Sequence, residues 1–231
     1  MLAQMIVLLA LLLAAAPAPR AQRILARSLQ ARGGAARFAA LRTLVERSEL
    51  ILAQGQRWQV RTWIKAPDRI RIEIHTPKGT MVQGFDGHTA WQIDPGAKMP
   101  YALNGAAANQ VRDEGEQGFD MAIAPESRGI AIAYAGAGTM DGRRYEAVRF
   151  TFPSGDTFVQ FFDAQSGLQF FEQYPLPQGR HGSEAVRDYR RVNGLLFPSA
   201  YVNSSGPTLK ILEWRLDLPL DDALFAPPIR R

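Results

Sequence analysis

The chain has 231 residues, no cysteine and a formal net charge of +5, with 27 lysines and arginines against 22 acidic residues. Without cysteine the fold has no disulfide framework, no thiol nucleophile and no lipid-modified N-terminal cysteine, so a hydrophobic core must hold it together. The arginines alternate with acidic residues instead of forming a basic block, which is typical of a solvated sheet face. We therefore expect no nucleic acid partner and at most a weak attraction to anionic lipid headgroups.

The N-terminus predicts a secretory signal peptide. Residues 5–16 (MIVLLALLLAAA) are an unbroken apolar run, too short to span a bilayer, and small residues and prolines follow it. No Lys or Arg precedes the run, so an uncleaved membrane anchor is the alternative. We expect a signal peptide over residues 1–21, a single domain over residues 22–231, and a periplasmic protein that is soluble once the signal is removed.

Three helices are predicted along the chain. Residues 24–31 and 35–41 have helical spacing, and two glycines, Gly33 and Gly34, separate them. The third helix, around residues 106–116, lies in an irregular stretch over residues 95–128 that interrupts the strands. A helical insertion of this kind is expected to cover the end or the open face of a sheet.

From residue 43 onward the apolar residues recur with a period of two, which predicts strands with one dry and one wet face. In DRIRIEIHTP, residues 68–77, the three isoleucines face one way, and the arginine between the first two of them, the glutamate and the histidine face the other way. Turn sequences separate roughly eleven or twelve such strands. An antiparallel sheet of this size must curl, so we expect a barrel or an open half-barrel.

The stretch GFDGHTAWQIDP, residues 84–95, predicts a hairpin. Asp86-Gly87 favours a two-residue type I′ turn, because that turn needs positive φ at both central residues. Phe85 and Trp91 lie in the two strands of this hairpin. Our hypothesis places both in the wall of a concavity, and the alternative is that both are ordinary core residues.

Motifs for catalysis or metal binding are not found. The three histidines have neither HxxxH nor HExxH spacing, and no G-x-S-x-G elbow occurs. We expect no cofactor and no metal, and an enzyme such as a lipid hydrolase is only a third alternative, because no nucleophile, base and orienting group can be placed together.

Aromatic residues are more abundant than one dry sheet face requires. In FVQFFD and LQFFEQY both faces of the strand carry aromatics. A curved sheet with an apolar concave face and helices across its mouth would make a pocket for acyl chains, since each buried methylene is worth about 0.8 kcal/mol. The alternative is that the helices fill the concavity themselves.

Strand alternation supplies candidate positions for this pocket without deciding which sheet face lines it. The helices are expected to form a weakly held lid, with Gly33, Gly34, Gly115 and Gly118 as flexible points. The candidate lipid-binding residues are Val60, Ile72, Met81, Phe85, Trp91, Phe150, Phe161, Phe170 and Trp214, and the candidate lid residues are Phe38 and Val111.

The order of these segments resembles the periplasmic outer-membrane lipoprotein-sorting (LolA-like) family, over about residues 31–228. The matching segments include ARGGAARFAALRTL, IKAPDRIRIEI, QGFDGHTAWQIDP, GAGTMDGRRYEAVRFTFPSGDTFVQFFDAQSGL and, most specifically, YRRVNGLLFPSAYV and LDLPLDDALFAPP. The resemblance implies a mainly β (α+β) fold, an incomplete antiparallel β-barrel of about eleven strands with helices covering a hydrophobic cavity. The family has no catalytic motif to transfer.

The resemblance also implies a function. We expect a monomeric, non-enzymatic periplasmic carrier that acts as a chaperone for lipid or lipoprotein acyl chains, in transport or sorting towards the outer membrane. Transient contact with membrane-bound transport components would accompany that role. The alternative is an envelope-stress sensor, or a regulatory binding domain, with the same fold.

Overall fold

The computed structural model describes residues 19–118, 121–176 and 180–228, and residues 1–18 of the predicted signal peptide lie outside the described residues. The helices are α1 (Arg20–Ala31), α2 (Ala35–Ala40) and α3 (Gly105–Gln117), with short 3-10 helices at Pro125–Arg128 and Asp222–Leu224. The strands are β1 (Thr43–Ile51), β2 (Arg57–Lys65), β3 (Arg69–Thr76), β4 (Gly79–Phe85), β5 (Ala90–Ile93), β6 (Tyr101–Ala102), β7 (Ala131–Met140), β8 (Arg143–Thr151), β9 (Thr157–Asp163), β10 (Gln169–Leu176), β11 (Arg180–Val192), β12 (Leu195–Asn203) and β13 (Thr208–Leu216).

All thirteen described strands form one open antiparallel sheet. Its order is β6-β5-β4-β3-β2-β1-β13-β12-β11-β10-β9-β8-β7, so every pairing joins strands that are consecutive in the chain except the pairing of β1 with β13, and β6 and β7 are the two edges. The open sheet with covering helices confirms the predicted mainly β fold and incomplete barrel. The strand that was not expected is β6, a two-residue edge strand inside the stretch predicted to interrupt the sheet.

The two faces of the sheet have different environments. Helix α3 packs on β3, β4 and β5, and α1 packs on β7 and β8, so the face that these helices cover is called the inner face and the opposite one the outer face. In β3, Ile70 is buried with α3 residue Val111 in the core, whereas Arg71 lies beneath the C-terminal segment on the outer face. The alternation predicted for this strand is therefore confirmed.

Helix α1 closes the β7–β8 end of the inner face. Its residues Ile24, Leu25 and Leu29 are buried in the core with Phe150, as expected for the apolar stripe of an amphipathic helix. The side chain of Glu146, on β8, accepts hydrogen bonds from two arginines of the same helix: Arg20 at 3.0 Å and Arg27 at 2.9 Å. Apolar burial and two ion pairs thus hold α1 to the sheet.

The hairpin between β4 and β5 differs from the predicted type I′ turn. Asp86 does not have a positive φ, and only Gly87, at +97°, does. The carboxylate of Asp86 instead accepts hydrogen bonds from the backbone N–H of His88 at 2.9 Å and of Thr89 at 2.8 Å, within a four-residue loop. Positive φ at both central residues occurs at Asp141-Gly142 and at Asn193-Gly194.

Trp91 lies on the outer face, which corrects the prediction that it shares a cavity wall with Phe85. It pairs across the hairpin with Gly84, where a Cβ atom would come within 2.6 Å of the indole ring. Gly84 and Phe85 are consecutive, so their side chains face opposite sides of the sheet. The indole Nε1 donates a 2.8 Å hydrogen bond to the carbonyl of Phe225, and the Arg71 guanidinium lies 5.5 Å from the ring centre. Trp91 therefore packs the C-terminal segment against the sheet.

We predict that Trp91→Ala lowers the free energy of unfolding by about 3–5 kcal/mol, because it truncates a large side chain that is 1% exposed and removes a buried hydrogen bond. Chemical denaturation measures this loss. Trp63→Ala is the matched control, since Trp63 is also on the outer face but only half-buried, and its loss should be smaller. Equal losses in the two variants would contradict the packing role of Trp91.

Candidate functional site

The inner face encloses a cavity of about 390 Å³ between the sheet and the C-terminal end of α3, here called the inner chamber. A second cavity of about 570 Å³, the α3 chamber, lies between α3 and strands β9 to β11. Four lining residues belong to both: Glu114, Gln117, Glu172 and Glu184. The chambers are thus adjacent, and α3 forms a wall of each.

Much of the inner chamber's wall is apolar. Trp214 of β13 lies 5.3 Å from Phe197 between ring centres, and its indole Nε1 donates a 3.0 Å hydrogen bond to the carbonyl of Pro198. The polar edge of the indole is thereby satisfied, which leaves its carbon surface to the chamber. The other apolar lining residues are Leu44, Ile64, Ile70, Ile72, Met121 and Leu209.

The same chamber contains four carboxyl groups, those of Glu46, Glu114, Glu172 and Glu184. Glu46 and Glu172 are each 8% exposed. One oxygen of Glu172 accepts hydrogen bonds from the side-chain amides of Gln160 at 2.8 Å and Gln169 at 3.1 Å. The cavity therefore combines aliphatic and aromatic walls with an acidic interior.

The register of β10 and β11 places two of these acids together. Glu172 pairs directly with Glu184, and like charges directly opposite one another destabilise a sheet. Burial raises the pKa of Glu184 to about 7. Burial also raises the pKa of Glu46 to about 7, against a smaller lowering by the Ser48 hydroxyl.

Tyr201, another lining residue, lies within electrostatic reach of three of the acids. Its pKa is raised well above the usual value, first by burial and then by the negative charges of Glu46, Glu184 and Glu172, with Tyr189 also contributing. Three carboxyl groups from three separate strands, β1, β10 and β11, thus act on one phenol. Sequence reasoning missed them, although Glu46 has a visible signal: it occupies an inner-face position between Leu44 and Ser48 in the period-two pattern.

Five of the candidate lipid-binding residues face inwards, in three different environments. Ile72 and Trp214 line the inner chamber. Val60 and Phe85 are on the inner face but buried, at 6% and 5% exposure, and Met81 shares that face through its pairing with Ile74. The cavity thus brings together two of the predicted residues, with the other three in the adjoining wall.

The remaining aromatic candidates do not line either chamber. Phe150 is fully buried beneath α1. Phe161 lies on the outer face against Tyr145 and Phe171, at 5.1 and 5.4 Å between ring centres. Phe170 occupies a register shift between Gln169 and Phe171 and packs against the Arg143 guanidinium. For Phe161 and Phe170, placement in the cavity is wrong, because the alternation of β9 and the irregularity in β10 direct them elsewhere.

The candidate lid residues Phe38 and Val111 are both 1% exposed. Phe38 packs against Phe197 at 5.5 Å between ring centres, so α2 is part of the core. Gly115 is not the flexible point that was expected: it lies inside α3, and a Cβ atom there would come within 2.2 Å of the carbonyl oxygen of Asp68. Its function is close packing of helix on turn.

A buried hydrogen bond joins α3 to the turn between β8 and β9. The Ser154 hydroxyl donates a 2.7 Å hydrogen bond to one carboxylate oxygen of Asp113, and the other oxygen has no hydrogen-bond partner among the described residues. The pKa of Asp113 is raised to about 7, mainly by burial, with smaller contributions from Asp156 and Glu116. Helix α3 is thus attached to this turn through a carboxyl group whose burial is unfavourable.

Comparison with solved structures shows which fold this is. The chain superposes on a LolA superfamily protein from Nitrosomonas europaea with a TM-score of 0.61 at 13% identity, covering 90% of this chain and 98% of that chain. It superposes equally well, at 12% identity and the same coverage, on a DUF1329 family protein from Desulfovibrio piger. A candidate outer membrane lipoprotein-sorting domain from Vibrio parahaemolyticus gives a TM-score of 0.57 at 11% identity, covering 89% of this chain and 95% of that chain.

The chain therefore has the LolA-like fold expected from the resemblance. No protein-family model matches the sequence, and no curated protein matches it either. Among the described residues, no helix is both long and apolar enough to cross a membrane.

We predict that Glu184→Gln makes the protein more stable than the wild type at pH 8 and leaves it nearly unchanged at pH 5. The folded-state pKa of Glu184, about 7, lies above the ordinary value of 4.5, so folding takes up a proton between these pH values and stability falls as the pH rises through them. At pH 8 the free energy of unfolding of the variant should exceed that of the wild type by about 3 kcal/mol. Urea denaturation at the two pH values measures it.

Glu213→Gln on the outer face is the control for this experiment. Arg215 and Arg47 lower the pKa of Glu213, so it stays ionised throughout that pH range and its substitution should have the same effect at pH 5 and pH 8. A Glu184→Gln variant that is less stable than the wild type at pH 8 would contradict the strain assigned to this carboxyl group.

Proposed function

We propose that this protein is a periplasmic carrier that binds acyl chains of a lipid or lipoprotein in the inner chamber, for transport towards the outer membrane. The observation that carries the proposal is the cavity itself: the helices cover the two ends of a curled sheet and leave an apolar-walled space between them. The predicted signal peptide supports the compartment. The structural likeness to a LolA superfamily protein and to a candidate lipoprotein-sorting domain supports the kind of cargo.

The apolar wall supplies enough energy for binding without catalysis. A twelve-carbon chain that is fully removed from water gains on the order of 10 kcal/mol, from about 0.8 kcal/mol for each methylene. A carrier must also release its cargo, and a chain held this way leaves slowly unless the cavity opens. Helix α3 is suited to open it, because it walls both chambers and packs mainly on strands β3 to β5.

We predict that Ile72→Trp lowers affinity for a neutral pyrene-labelled dodecyl alcohol by more than tenfold, since the larger ring fills the inner chamber where Ile72 lines it. Fluorescence titration measures the affinity. Val45→Trp is the matched control: Val45 is also a half-buried β-branched strand residue, but it lines an outer-face groove. That variant should bind the probe like the wild type.

Native mass spectrometry of protein purified without detergent tests the cargo directly, and a co-purifying acylated molecule is the expected result. Protein that carries no such molecule and also fails to bind the probe would overturn the carrier proposal. One stoichiometric protein partner in a pull-down from an envelope fraction would favour a sensor domain instead.

We predict that Ser154→Ala speeds amide hydrogen exchange in α3 and raises the dissociation rate of the dodecyl probe, because it leaves the buried Asp113 carboxyl group without its hydrogen bond. Ser166→Ala is the matched control. Ser166 likewise donates to an aspartate, Asp163, at 2.9 Å within an exposed turn away from α3. Equal effects of the two substitutions on α3 exchange would contradict the role of Ser154 in holding α3.

A further inference from the structure

The charges that line the inner chamber are unbalanced. Among its described lining residues, four glutamates stand against one cation, Arg32. The guanidinium of Arg32 lies over the Phe38 ring, 4.7 Å from its centre, on the α1–α2 side of the chamber. The acidic side chains come from the opposite elements, strands β1, β10 and β11 and helix α3.

Two of these carboxyl groups face the chamber without a cation. Glu46 is 92% buried and forms no ion pair among the described residues, and the Ser48 hydroxyl is the one group that favours its charged form. The side chain of Glu184 has neither an ion pair nor a hydrogen bond within the described ranges, and its strand partner is another acid, Glu172. Burying carboxylates in this way is unfavourable unless a positive group compensates them.

The spacing of the acids suits an organic cation better than a metal ion. In the described part of the chain, no three acidic or histidine side chains are close enough to hold a metal ion together. They do surround a continuous space that also has apolar walls, including Trp214 and Leu209. A cation that balances these carboxylates must therefore carry an apolar part that the walls of the cavity can bind.

An anionic headgroup would be repelled by the carboxyl groups of this cavity. A phosphate or a fatty-acid carboxylate would add negative charge beside Glu46, Glu172 and Glu184 in a partly enclosed space, where charges repel one another more strongly than in bulk water. A protonated amine can donate up to three hydrogen bonds and pair with carboxylates from different strands. Its charge also favours the ionised form of the acids, so that binding would release protons from groups whose pKa is raised.

On these grounds we propose that the cargo of the inner chamber is an amphiphile with a primary ammonium group, whose amine lies among the carboxyl groups of the chamber while its acyl chain lies along the Trp214 wall. This inference rests on the proposed acyl-chain binding and names the chemistry of the polar end. The ammonium replaces the cation that the sheet does not supply.

Three ligands of equal chain length test the proposal: dodecylamine, dodecanol and dodecanoate, each used to displace the pyrene-labelled probe at pH 8. The amine should bind at least tenfold more tightly than dodecanoate, with dodecanol between them. In the Glu46→Gln/Glu184→Gln double variant the amine should bind no more tightly than dodecanol. Glu213→Gln on the outer face should change none of the three affinities.

The outcomes separate this inference from the carrier proposal. If dodecanoate binds as tightly as dodecylamine, or if the amine keeps its advantage in the double variant, the inference is wrong while acyl-chain binding stands. If none of the three ligands displaces the probe or binds, acyl-chain binding itself is wrong. Should the double variant fail to fold, Glu184→Gln alone replaces it, since removing an unpaired buried carboxylate should not destabilise the fold.

Discussion

The cavity exists because the open sheet of thirteen described strands has a larger concave face than the described helices cover. A sheet of that many strands curls, and its inner face must then be removed from water. Helix α1 does this at β7 and β8, and α3 does it at β3 to β5. The central strands, where β1 pairs with β13, are left beneath an open space. Core and cavity are thus two parts of one apolar face, one filled by helix side chains and the other not.

The buried acids of the cavity destabilise the fold, whereas acids on the outer face of the sheet are paired with arginines. On the outer face, Glu213 lies between Arg47 and Arg215, and its pKa is lowered. On the inner face, the carboxyl group of Glu184 has no cation partner among the described residues, and burial raises its pKa to about 7. Sequences commonly break such local rules at functional sites and tolerate the cost through packing elsewhere. The contrast between the two faces of one sheet is the physical reason for assigning a ligand to the inner one.

Features that depend on local periodicity could be predicted from the sequence. The isoleucines of β3, the helical stretches and the order of strands all follow from patterns within a few residues of one another. The side of the sheet on which Trp91 lies also follows from the hairpin, because a two-residue or a four-residue loop pairs position 91 with position 82 or 84, on the face opposite Phe85. The predicted placement of Phe85 and Trp91 in one wall is inconsistent with that register. By contrast, the register shift before Phe171 and the contact of Gly115 with Asp68 arise from tertiary packing. The carboxyl groups of the cavity come from strands far apart in the chain, so only the folded sheet brings them together.

Helix α3 connects the two proposals, because it forms a wall of both chambers and is the lid in the proposed mechanism of release. Its residues Glu114 and Gln117 line both chambers, while Asp113 holds it to the β8–β9 turn through one hydrogen bond. A ligand ammonium near Glu184 would also attract Glu114 across the shared boundary of the chambers. Such a ligand interacts more favourably with the closed position of α3 than with an open one, and differential affinity of this kind shifts the population towards closure. Cargo of the right charge would then stabilise its own enclosure, whereas a neutral chain would depend on the apolar walls alone.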